Sequence, residues 1–340
     1  MKKNIIFCGT PKFAVASLKK LYESQKKLNF NLNGVITIPD KKVGRGKKMT
    51  ESEIKKVAKS YNLPILEPYD LTNNHFINTV KSLKPDLIIV IAFKKLPKVL
   101  FEIPKIGTIN LHASILPKYR GAAPINWAII NGENQTGLTT FFINEKIDTG
   151  DIILQTKNDI PIDYHAGELH DSLMIESSEL IIKTINKLFK KNYKVKKQDV
   201  NPKKNIYPLA PKINKNDRLF KLNIFQGKLG LEKSYNFIRG MSPPGVKMKL
   251  KIQNNQMEKK LIITVVKVSN YIKNNIIIEK EKNNHLMLSK KDNNLIIHNH
   301  NGSFQIKRLK PENGKEMSDI EFINGFLNKN DNKMRIIDLD

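Results

Sequence analysis

Three polar side chains of this 340-residue chain, Asn110, His112 and Asp148, have types and spacings that suit acyl transfer to an amine. Asn110 and His112 sit two positions apart on the apolar run that starts at Thr108, so on a strand both leave the same face. Asp148 follows after roughly one helix and one strand of chain, in Ile147-Asp-Thr-Gly-Asp151, a turn-like segment at a strand end. An amide can donate a hydrogen bond to a developing oxyanion. An imidazole can donate or shuttle a proton, and a carboxylate can fix the imidazole's tautomer and raise its basicity. No covalent nucleophile is required. Singly, each residue is better explained as a turn cap beside Gly107 or Gly150, or as a satisfied core histidine. The three together, next to the loop Pro117-Lys-Tyr-Arg-Gly-Ala-Ala-Pro124, point to a site.

The flanking pattern supplies elements that could hold these groups. Residues 4–10 read as a buried strand ending in a turn, and Phe13, Ala14, Ala16, Leu18 and Leu21 mark the face of a following helix. Further apolar strands are expected at Leu32–Ile38, Ile65–Leu66, Asp86–Ala92 and Thr108–His112, with helical patterns near Ile54–Ser60 and Phe76–Leu83. This alternation predicts an α/β fold with a doubly wound, mostly parallel, Rossmann-like sheet. Gly137–Ile143 and Ile152–Gln155 read as strands flanking the Asp148 turn, and Leu169–Phe189 as an amphipathic helix closing a first domain over residues 1–190. Neither G-x-G-x-x-G after the first strand nor a P-loop motif is present, so dinucleotide and P-loop readings lose their main support. A basic linker over 191–210 leads into a second domain, 211–330. There, short apolar runs at Met248–Ile252, Leu261–Val268, Ile276–Ile278, Leu286–Leu288, Leu295–Ile297 and Phe304–Ile306 predict a small β-barrel.

Composition sets the partners. A formal net charge of +27 suits a polyanion such as nucleic acid, although the excess is almost all lysine and runs through both halves of the chain. Cys8 is the only cysteine, which excludes an intrachain disulfide and paired-thiolate zinc sites; it is expected as a buried apolar residue of the first strand. His298 and His300 lack accompanying ligands and read as surface residues, so no metal is expected. No run approaches the roughly 20 apolar residues that span a bilayer, and no signal-peptide pattern opens the chain, which gives a cytoplasmic expectation without a membrane partner.

The run from Asn110 to Ile125, with Asp148-Thr-Gly-Asp151, resembles the folate-dependent formyltransferases, and among them the branch acting on methionyl-tRNA. Supporting features are Ile5-Ile6-Phe7-Cys8-Gly9-Thr10-Pro11, the loop Gly44-Arg45-Gly46-Lys47-Lys48 and the segment Ile238-Arg239-Gly240-Met241-Ser242-Pro243. The resemblance implies 10-formyltetrahydrofolate as co-substrate, the α-amine of initiator methionyl-tRNA as acceptor, a monomer, and an oligonucleotide-binding-like barrel. It implies Asn110, His112 and Asp148 as catalytic. Asn110 and His112 would face the tetrahedral oxyanion, and Asp148 would orient His112 and take the amine proton; the alternative makes His112 the base. It further implies folate contacts from Ser114, Ile115, Leu116 and Pro117, and from Phe93, which lies in a segment shorter than the family's usual one. Arg45, Lys47, Lys48, Lys41, Lys42 and Arg239 would bind tRNA, with arginine offering bidentate phosphate contacts. Rival readings are transfer to a small amine, glycinamide ribonucleotide or an amino sugar, and an RNA-binding protein without catalysis.

Overall fold

A strand without polar alternation must be covered on both faces, and Leu87–Ile91 is buried at every position in the computed structural model. The structure describes residues 2–43, 48–190, 192–200, 206–225, 229–253, 258–273, 286–327 and 333–338. They belong to two units. The first comprises Met1–Pro124, Thr136–Asn158 and His170–Pro211; the second comprises Ile125–Gln135, Asp159–Leu169 and Lys212–Asp340.

The first unit carries a seven-stranded sheet ordered Ile152–Gln155, Thr139–Phe142, Gly107–His112, Leu87–Ile91, Lys3–Gly9, Phe30–Ile36 and Ile65–Leu66. Its five strands from Gly107–His112 to Ile65–Leu66 run parallel; Thr139–Phe142 pairs antiparallel with Gly107–His112, and Ile152–Gln155 pairs antiparallel with Thr139–Phe142. The expected doubly wound, mostly parallel sheet is therefore present. Ile6, Cys8, Ile88 and Val90 pack on one face against Phe76, Ile77 and Val80 of the helix Asn74–Ser82. Burial pushes the Cys8 thiol far above its usual range, so it is an inert core group. Local capping sets helix starts: Ser52 accepts from Lys55 N–H at 3.0 Å, and Asn73 from Phe76 N–H at 3.2 Å.

The second unit holds a closed antiparallel barrel of Glu258–Lys273, Val246–Gln253, Lys333–Ile337, Met287–Lys291, Asn294–Asn299 and Gly302–Pro311, the last pairing back with the first. Alternate residues such as Leu250, Ile252, Leu295 and Ile297 turn inward, and the helix Gly230–Gly240 adds Leu231, Tyr235 and Ile238 to the same core. Ile276–Ile278 lies outside the described residues. The strand Lys333–Ile337, absent from the apolar runs read in the sequence, contributes buried Met334 and Ile336.

Within this unit, His165 fastens the segment Asp159–Leu169 to the barrel. The Val268 backbone N–H donates to its Nε2 at 3.1 Å, and a backbone N–H cannot accept, so Nε2 carries no proton. The Nδ1 proton is left for the Asp163 carbonyl at 3.1 Å, with Glu168 Oε2 at 3.2 Å. Burial lowers the imidazole's pKa, with Lys267 and Arg239 adding to the effect and Glu168 opposing it. The unfolded chain therefore binds a proton below about pH 6.5 that the folded chain resists. Stability present above that pH is lost as pH falls through the lower folded-state value. In chemical denaturation between about pH 7 and about pH 5.5, wild type should lose more stability than His165→Gln, whose amide oxygen can accept from Val268 without titrating. Equal losses would remove His165 as the cause.

Candidate active site

Ligands of open α/β sheets bind beyond the carboxyl ends of the parallel strands, and the candidate groups gather there. Asn110 pairs with Val90 on one side and Phe141 on the other, and His112 pairs with Thr139. The alternation of the strand Gly107–His112 thus puts the amide and the imidazole on one face. Among the described residues no intramolecular hydrogen bond engages the Asn110 side chain, which leaves its amide donors available to an incoming carbonyl.

His112 is 7% exposed, and its Nε2 lies 2.8 Å from the Tyr119 carbonyl oxygen. A carbonyl only accepts, so Nε2 carries the proton and Nδ1 is the nitrogen left for chemistry. Nδ1 faces Asp148 Oδ2 at 3.8 Å, an ion-pair distance for an imidazolium and too long for a direct hydrogen bond. The same Oδ2 accepts from the Gly121 N–H at 3.0 Å. The structure therefore brings Asn110, His112 and Asp148 together, with one backbone segment, Tyr119–Gly121, holding the last two.

Asp148 sits in a left-handed conformation, φ 53°, sparsely populated for a residue with a side chain. Gly150 lets the turn lie against the strand, because a Cβ there would come within 1.6 Å of the Phe142 carbonyl oxygen. Thr149 Oγ1 donates to Asn144 Oδ1 at 3.0 Å and closes the turn from within.

The segment Ser114–Pro117 follows directly. The Ser114 hydroxyl donates to the Lys118 carbonyl at 2.7 Å, and Leu116 packs in the core with Phe141 and Ile152. Ile115 and Pro117 are half-buried, and Phe93 packs partly buried against the sheet core. Two residues that no motif singles out fix this segment. Thr139 Oγ1 donates to the Ser114 carbonyl at 2.6 Å, while Gln155 Nε2 donates to the Leu116 carbonyl at 2.8 Å and to Thr139 Oγ1 at 3.0 Å. Both read as ordinary strand residues, and only the strand register reveals the contact.

Lys41, Lys42 and Lys48 are exposed on a short antiparallel hairpin, Lys41–Val43 with Lys48–Thr50. Arg45 and Lys47 lie outside the described residues. The base of the hairpin is anchored: Lys55 Nζ lies 2.9 Å from Asp40 and 3.9 Å from Glu51, the residues flanking the hairpin, and 3.0 Å from Glu67. Hydrogen bonds to Asp40 and Glu67 raise the Lys55 pKa and keep it charged. Arg239 is placed differently. It is 3% exposed, its guanidinium donates to the Tyr164 carbonyl at 2.9 Å and to Asn236 Oδ1 at 2.7 Å, and it lies 5.0 Å from the centre of the Tyr235 ring. Its partners are internal to the second unit.

A formyl transferase family profile matches residues 1–185. The chain is 41% identical over 329 residues to the methionyl-tRNA formyltransferase of Thermodesulfovibrio yellowstonii, covering 96% of each protein. It is 46% identical over 245 residues to that of Clostridium acetobutylicum, covering 70% of this chain and 73% of the relative. The chain belongs to the methionyl-tRNA formyltransferase family. Among solved structures, the Helicobacter canadensis N-formyltransferase in complex with folinic acid and dTDP-3-aminofucose aligns with a TM-score of 0.61 at 22% identity, covering 90% of this chain and 99% of that one. HypX from Aquifex aeolicus in complex with tetrahydrofolic acid aligns with a TM-score of 0.57 at 16% identity, covering 96% of this chain and 47% of that one. At these identities the likeness is one of fold. No helix among the described residues is long and apolar enough to cross a membrane.

Proposed function

We propose that this chain transfers the formyl group of 10-formyltetrahydrofolate to the α-amine of methionyl initiator tRNA, for translation initiation. The observation that carries the reading is the convergence of an unengaged Asn110 amide, a His112 ring with only Nδ1 free, and the Asp148 carboxylate 3.8 Å from that nitrogen. The amine nitrogen attacks the formyl carbon of the donor, and the carbonyl π pair moves onto oxygen. The Asn110 amide, and Nδ1–H when His112 is protonated, donate to the oxyanion. Asp148, 3.8 Å from Nδ1, orients His112 and takes the proton that the amine loses, directly or through water. Collapse of the intermediate breaks the bond to the folate N10, which as it leaves receives the proton that Asp148 took from the amine, directly or through water.

Backbone groups of Ser114–Pro117, with Ile115, Pro117 and Phe93, form the folate-facing wall in this reading; the Ser114 hydroxyl and the Leu116 side chain act by shaping the segment. Catalysis belongs to the first unit, and Lys41, Lys42, Arg45, Lys47 and Lys48 attract the tRNA backbone. Arg239 supports the second unit from inside and is left out of this surface. The protein acts as a monomer in the cytoplasm. The test is a single-turnover assay of purified protein with 10-formyltetrahydrofolate and charged initiator tRNA: formylmethionyl-tRNA should accumulate, and no product with active donor would overturn the reading.

The hairpin gives a separate expectation. Replacing Lys41, Lys42 and Lys48 together by alanine should lower kcat/KM for methionyl-tRNA. It should also make the log–log dependence on salt shallower, by about one unit of slope for each phosphate that is no longer neutralised. Affinity for the folate should not move. An unchanged salt slope would make the hairpin ordinary solvated surface.

A further inference from the structure

A Lys- and Asn-rich stretch after a long helix ordinarily serves as a solvated linker. The one that follows Ala166–Leu188 instead meets the two backbone stretches that hold the candidate catalytic side chains. Lys196 exchanges both main-chain groups with Ile152, each at 2.8 Å, which extends the sheet edge beside the Asp148 turn. Two residues on, Gln198 Nε2 donates to the carbonyl oxygens of Asp148 at 3.2 Å and Gly150 at 2.7 Å. Both partners can only accept, so chemistry alone assigns the nitrogen to that position. Later in the same stretch the Pro208 carbonyl accepts from Tyr119 N–H at 2.6 Å, and Leu209–Ala210 pairs in parallel with Arg120–Gly121. Gly121 is needed for that pairing: its φ is 127°, and a Cβ would lie 2.4 Å from the Ala210 carbonyl oxygen.

These contacts converge on the groups that set the site. The Tyr119 carbonyl fixes the His112 tautomer, the Gly121 N–H holds the Asp148 carboxylate, and Asp148 has a backbone conformation that relaxes unless its surroundings impose it. We propose that the connector is a strap positioning the catalytic groups, and that Gln198 is the positioning residue for Asp148. Gln198 acts through the backbone: it ties the carbonyls on either side of Thr149 to the connector. The inference rests on the proposed role of Asp148 and adds a residue to it.

The test is a double-mutant cycle in single-turnover formyl transfer, because two groups acting as one unit have non-additive effects. Gln198→Met keeps length and loses the donor. A misplaced reacting group costs on the order of a hundredfold per ångström, so a smaller shift of Asp148 should lower kcat about tenfold, with KM for tRNA and folate within about twofold. In the Asp148→Asn background the same change should cost less than about twofold. Gln198→Lys, whose ammonium can donate to the same carbonyls, should recover kcat to within about threefold of the parent. Parental kcat in Gln198→Met, an equal loss in both backgrounds, or a Lys variant as impaired as the Met variant would each overturn the assignment. If Asp148→Asn alone is as active as the parent, the catalytic reading of Asp148 fails as well, and that corner of the cycle reports it separately.

Discussion

Asp148→Asn is expected to fold like the parent and to transfer formyl groups about a hundredfold or more slowly. The amide oxygen can still accept from the Gly121 N–H, which lies 3.0 Å from Oδ2, so the turn keeps its shape. What disappears is the negative charge 3.8 Å from His112 Nδ1. Without it, no carboxylate orients the imidazole and none receives the proton released by the amine. Single-turnover rates together with thermal midpoints separate this loss from misfolding. A folded variant near the parental rate would remove Asp148 from the chemistry.

Asn110→Ala is expected to lower kcat about a hundredfold to a thousandfold, the usual consequence of losing one oxyanion donor. The side chain makes no intramolecular hydrogen bond among the described residues, so removing it orphans no protein partner and stability should change little. The interaction strengthens as charge grows on the formyl oxygen, so KM for the folate should move far less than kcat. A loss confined to KM would assign Asn110 to ground-state binding instead.

The placement of Asn110, His112 and Asp148 was legible because it rests on local rules. A period of two puts Asn110 and His112 on one strand face, and a glycine two residues after Asp148 marks the turn that presents it. The alternation of apolar strands and amphipathic helices announced the parallel sheet for the same reason. What stayed hidden depends on pairings distant in sequence. The Tyr119 carbonyl that fixes the His112 tautomer is a backbone atom, invisible as a residue type. Gln198 lies 50 residues from the turn it grips, within a stretch whose composition reads as linker. The family resemblance placed Arg239 among the tRNA contacts, but its donors go to groups such as the Tyr164 carbonyl, 75 residues away, which no local pattern encodes. The strand Lys333–Ile337 is short, with two of its five residues charged, and the barrel pairing of Ile336 with Leu250 defines it. The sequence reads as consecutive blocks, whereas the second unit recruits Ile125–Gln135 and Asp159–Leu169 from within the first block.

Whether the Asn110, His112 and Asp148 site formylates the methionine carried by initiator tRNA is decided by competition in one reaction. Purified protein with limiting 10-formyltetrahydrofolate is offered charged initiator tRNA, elongator methionyl-tRNA, glycinamide ribonucleotide and an amino sugar, and the formyl label is followed into each product. The label should go overwhelmingly to initiator methionyl-tRNA. Label accumulating instead on glycinamide ribonucleotide or the amino sugar would contradict that assignment.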